Sequence, residues 1–130
     1  LRAKNVAIFA DVHVKHGAHA IVADRTLQEL TRDAEFFDAD AVIVTGQRTG
    51  DSSRLDELET VRGATKLPVM FGSGVTADSI GAIVQVADGV IVGTAAKVDG
   101  VVTNRVDPDR VRALVRAAEV SPELQDETWS

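Results

Sequence analysis

The segment "ADGVIVGT" at residues 87–94 restates "ADAVIVTG" at residues 39–46, with Gly for Ala at the third position and the last two letters exchanged. The offset matches one β/α unit with a generous loop. A small-acidic-small turn followed by Val and Ile suits a helix end running into a strand packed between neighbours. Packing therefore accounts for the first six positions of each copy. It does not account for Gly and Thr closing both runs. In parallel α/β folds the C-terminal ends of the strands hold ligands.

Working outward, four apolar, β-branched runs occupy residues 6–14, 41–45, 68–71 and 89–92. Each gives way to polar or Gly-containing sequence, as strands do. Helical patterns lie between and after them. Residues 26–37 place Leu27, Leu30 and Ala34 at helical spacing, and residues 53–64 do the same with Leu55, Leu58 and Val61. Residues 76–86 open with Thr76 as a cap and bring Ile80, Ile83 and Val84 to one side. Residues 107–118 open "DPDR", with Asp107 as cap and Pro108 at the first helical position. Strands separated by helices run parallel, through right-handed crossovers. The pattern predicts an α/β chain. Its parallel β/α units form the C-terminal half of a (β/α)8 TIM-type barrel over residues 1–118, followed by a polar tail at 119–130. Half a barrel leaves two strand edges and an apolar inner face open. The expected partner is a second copy or a missing N-terminal half-barrel.

Composition narrows the function. Apolar residues make up 45% of the chain but aromatic residues only 4%, so Val, Ala, Ile and Leu must fill the core. The net charge of −6, with acids and bases interleaved, argues against a nucleic-acid partner. Scarce Lys and abundant Asp fit a high-salt cytoplasm and GC-rich codons equally well. The absence of Cys excludes disulfides, thiolate metal sites and Cys nucleophiles. No apolar run is long enough to insert in a membrane. The opening "LRAKNVAIFADVH" lacks Met and a leader's cleavage site, and the expectation is a cytoplasmic chain entered part-way.

Three constellations carry chemistry. In "FGSGVTAD", residues 71–78, Gly72 and Gly74 flank Ser73 between a strand and a helix. Glycine lets backbone amides approach an anion closely, and a helix start lies beside them. Gly93 and Thr94 end the following strand, so the two turns are expected to meet around a phosphate. In "ADVHVKHGAH", residues 10–19, Asp11, His13 and Lys15 alternate onto one face of an extended strand. An acid, an imidazole and an ammonium together suit acid–base catalysis. Asp11, His13 and His16 form an alternative divalent-metal set, and no other cofactor is expected. A buried Asp11–His13 pair that merely holds the strand end is the structural alternative. In "VTGQRTGD", residues 44–51, Thr45 and Gly46 end a strand and Arg48 follows in a Gly-bounded loop. Arg48 is either a clamp for an acidic substrate group or a solvated loop charge.

The runs "FADVHVKH", "ADAVIVTGQRTG", "PVMFGSGVTADSI", "ADGVIVGTAAKVDG" and "NRVDPDRVRALV", in this order, resemble the C-terminal half of the BtpA family. That family takes its name from a photosystem I biogenesis protein. The resemblance implies a ribulose-phosphate-binding barrel with its phosphate pocket on Gly72, Ser73, Gly74, Gly93 and Thr94. It also makes Asp11, His13, Lys15, Thr45 and Gly46 pocket candidates. The expected function is that of an enzyme acting on a phosphorylated small molecule such as a sugar phosphate. Isomerase, lyase and hydrolase chemistry all remain open. The alternative is a non-catalytic assembly or stability factor for photosystem I.

Overall fold

The computed structural model describes residues 4–12, 25–45 and 53–119. Four strands, β1 (Phe9–Asp11), β2 (Ala41–Thr45), β3 (Val69–Gly72) and β4 (Gly89–Ile91), alternate with helices α1 (Leu27–Phe36), α2 (Ser53–Ala64), α3 (Ala77–Ile83) and α4 (Pro108–Glu119). Two 3-10 turns, Thr94–Ala96 and Val98–Gly100, separate β4 from α4. The strands form one sheet in the order β1-β2-β3-β4, and every pairing is parallel. Because the order never reverses, right-handed crossovers put α1, α2 and α3 on the same side, and α4 joins them there through Leu114, which shares the core with Ile80 and Ile83 of α3. This is an α/β chain with the architecture of half a (β/α)8 barrel.

Side-chain alternation separates the two faces. Val42, Val44, Val69 and Phe71 are each no more than 1% exposed. They share the core with Leu58 and Val61 of α2, Ile80 and Ile83 of α3, and Leu114 of α4. The opposite face carries Phe9, Asp11, Ile43, Thr45, Met70, Gly72 and Ile91 in matched register. Phe9 is 52% and Ile91 45% exposed, so among the described residues this face has no covering layer. It corresponds to the interior of a barrel. Met70 lies across Gly89, where any side chain would run into its thioether.

The repeated Ala-Asp has a structural use. Asp40 donates its N–H to the Ile8 carbonyl (2.8 Å) and accepts the Ile8 N–H on Oδ2 (2.7 Å). Asp88 does the same with Val69, at 2.8 Å in both directions. Each Asp thus grips both polar groups of one residue at the start of the neighbouring strand. Arg62 of α2 adds an ion pair to Asp88. These clamps sit at the N-terminal edge of the sheet, where barrels hold stability rather than chemistry.

Element ends differ most from expectation at β1 and α3. β1 begins at Phe9 rather than at residue 6, because Ile8 already bonds to Asp40 and an edge strand has one pairing side. α3 stops at Ile83 rather than near residue 86, because the chain must turn to bring Asp88 to Val69. At Gly81, where α3 faces α4, a Cβ would just touch the Ala117 carbonyl oxygen at 3.4 Å. Asp107 Oδ1 accepts the Asp109 N–H (2.9 Å) at the start of α4, as the "DPDR" pattern predicts.

Candidate functional site

The parallel pairing brings the C-terminal ends of all four strands to one edge. Gly72 pairs with Thr45 on one side and with Ile91 on the other. Immediately after it, Ser73 (φ 68°) and Gly74 (φ 71°) are both left-handed. Glycine adopts that conformation freely, whereas Ser73 does so at a cost in energy. The two residues turn the chain sharply from β3 toward α3.

A cleft of about 760 Å³ opens beside this turn. Ser73 and Gly74 line it from β3, and Gly93 and Thr94 line it from β4. Ile91 and Leu114 supply apolar wall. Nothing lies within 4 Å of the position a Cβ would take at Gly93. The turn after Gly93 closes on itself, with the Ala96 N–H donating to the Gly93 carbonyl (3.0 Å).

The start of α3 offers an anion less than the sequence pattern implies. The Thr76 N–H already donates to Ser79 Oγ (3.0 Å), and α3 has only seven residues. Asp78, in its first turn, adds a carboxylate to the cleft wall. The cation comes from elsewhere. Arg110 of α4 lines the same cleft, and its Nη1 donates to the Ala95 carbonyl (3.2 Å). Sequence reasoning missed this residue. Its signal was the "DPDR" helix start, which places an Arg one turn into the helix following a Gly-ended strand.

Asp11 and Thr45 lie on the open face of the sheet, beside the cleft rather than in its wall. Thr45 Oγ1 donates to Asp11 Oδ2 (2.5 Å), joining the ends of β1 and β2. Gly72 likewise forms sheet rather than cleft wall. The candidates His13, Lys15, His16, Gly46 and Arg48 lie outside the described residues, and with them the alternative metal set. Among the described residues no group of three or more His, Cys, Asp or Glu could hold a metal ion. No described helix is long and apolar enough to cross a membrane.

Residues 1–120 match the model of the BtpA family. The chain belongs to that family. An uncharacterized protein of Archaeoglobus fulgidus is 45% identical over 111 residues, covering 85% of this chain and 42% of the relative. An uncharacterized mitochondrial protein of Caenorhabditis elegans is 38% identical over 116 residues, covering 89% of this chain and 42% of its own length. The photosystem I biogenesis protein BtpA of Synechocystis is 40% identical over 114 residues, covering 87% and 39% respectively. This BtpA-family chain therefore spans about two-fifths of the length of the curated relatives it matches. No solved structure matches it.

Proposed function

We propose that this BtpA-family chain anchors the phosphate of a small phosphorylated substrate, such as a sugar phosphate, in a barrel enzyme that works by acid–base chemistry. The carrying observation is that Ser73, Gly74, Gly93 and Thr94, from the ends of adjacent parallel strands, line one cleft. On this reading the anion sits over β3 and β4, and the reacting part of the substrate extends along the edge toward Asp11. Asp11, steadied by the Thr45 hydroxyl, is a proton carrier together with His13, and Lys15 balances charge. Gly46 and Arg48, which follow Thr45, contribute to the substrate wall. The rest of the barrel, or a second copy, covers the open face around Phe9 and Ile91, and the protein works in the cytoplasm.

A second reading, as a non-catalytic factor in photosystem I biogenesis, draws on the Synechocystis relative. A nematode and archaea, organisms without photosystem I, carry relatives of similar identity, which favours a metabolic role. A scaffold also has no need of an anion cleft beside a carboxylate.

Titration calorimetry of the intact protein tests the anchor. Inorganic phosphate and ribose 5-phosphate are expected to bind saturably. Gly93→Leu places a side chain in open cleft space and is expected to weaken both by about tenfold or more. Gly74→Val is a poorer probe, because φ at Gly74 is 71° and any side chain there strains the turn. Unchanged binding by Gly93→Leu would move the anion away from this cleft.

A further inference from the structure

The cleft carries both signs of charge, and the arrangement around each is specific. Arg110 lies over the turn Val98–Gly100, where a Cβ on Gly100 would approach Nη1 to 3.6 Å. Together with the bond to the Ala95 carbonyl, this fixes where the guanidinium sits. Two acids at the start of the same helix are engaged elsewhere. Asp107 caps the helix through the Asp109 N–H, and Asp109 pairs with Arg112 at 2.6 Å. Arg25 and Arg62 also pair with carboxylates, whereas Arg110 has no carboxylate partner among the described residues. Among the described residues Arg110 is thus an unneutralised guanidinium at the cleft wall, in a chain with 20 acidic residues and a net charge of −6. A planar fork of donors in that position suits the oxygens of a phosphate.

Asp78 lines the cleft from the first turn of α3, and among the described residues its carboxylate has no hydrogen-bond or ion-pair partner. A carboxylate repels a bare phosphate but accepts hydrogen bonds from hydroxyl groups. Building on the phosphate reading, we propose that Arg110 and Asp78 form a recognition pair. Arg110 takes the phosphate and Asp78 takes hydroxyl groups of the same ligand, so the cleft selects a polyol phosphate monoester over free phosphate. The apolar wall of Ile91 and Leu114 packs against the carbon skeleton between the two ends.

The test is titration calorimetry on the intact protein, with inorganic phosphate and ribose 5-phosphate as probes and melting temperature recorded for each variant. Arg110→Gln is expected to weaken both probes by about tenfold or more, with Arg110→Lys recovering part of the loss. Asp78→Asn is expected to act in opposite directions, tightening inorganic phosphate and weakening ribose 5-phosphate by a few-fold each. A residue that served only to hold the fold would not produce this change of sign. If Arg110→Gln binds both probes like the parent while Gly93→Leu loses them, the pair is wrong and the anion cleft stands. Asp78→Asn shifting both probes in the same direction overturns the hydroxyl assignment. A parent protein that binds neither probe removes the phosphate reading and this inference with it.

Discussion

Replacing Phe71 with Ala is expected to destabilise the protein by about 3–5 kcal/mol, the range for emptying a buried aromatic site. Phe71 is 1% exposed and heads the fully buried side chains by volume. It stands on β3, opposite Val44 on β2 and Val90 on β4. Leu58, Val61 and Ile80 reach the same core from the helices. With aromatic residues at only 4%, the surrounding side chains are mostly Val, Leu and Ile. Stiff β-branched chains cannot collapse into the hole, so most of the cavity cost remains. Phe36 provides the contrast, because it is 80% exposed and its replacement by Ala is expected to change stability by less than about 0.5 kcal/mol. Urea denaturation of both variants checks the pair. A Phe71→Ala loss below about 1 kcal/mol would show that the core is centred elsewhere.

Asp88→Asn is expected to cost about 1–2 kcal/mol at neutral pH and almost nothing in strong acid. The Val69 N–H on Asp88 Oδ2 is the main influence holding this carboxyl below its ordinary pKa. Desolvation opposes that shift, and the Arg62 guanidinium adds to it. A lowered folded-state pKa means that the ionised group favours the folded chain. Its contribution is complete above the unfolded carboxyl's pKa and disappears as pH falls through the lower folded value. The side chain remains 39% exposed, so solvent screens the Arg62 pair and most of the effect rests on the amide bond. Denaturation of parent and variant from about pH 7 to about pH 2 is expected to give a gap that closes in acid. A gap of constant size would mean that the charge on Asp88 plays no part.

Much of the fold is legible in the sequence because its rules are local. The β/α alternation follows from hydrophobic period and from Gly and Asp at the breaks. The core positions Val42, Val44, Leu58, Val61, Ile80 and Ile83 fall where period 2 and period 3.6 place them. Thr31 escapes that reading, since a polar residue is fully buried when its hydroxyl can donate to the Leu27 carbonyl (2.7 Å). The repeat at residues 39–46 and 87–94 is visible as a pattern, but its purpose is not. Asp40 and Asp88 act on Ile8 and Val69, which are remote in sequence, and only strand register reveals the reach. Ser73, Gly74, Gly93 and Thr94 are legible as cleft residues because glycine at a strand end marks a turn. Arg110 is not. Its place depends on the path of the chain through Val98–Gly100 and back to α4, which no local periodicity encodes.

If an anion binds between the ends of β3 and β4, amide chemical shifts of the intact protein titrated with inorganic phosphate will register it. Saturable shifts are expected at the amides of Ser73, Gly74, Gly93 and Thr94, with Asp40 and Asp88 at the opposite edge unmoved. Saturable shifts at Asp40 and Asp88 with none at the four cleft amides would contradict binding there.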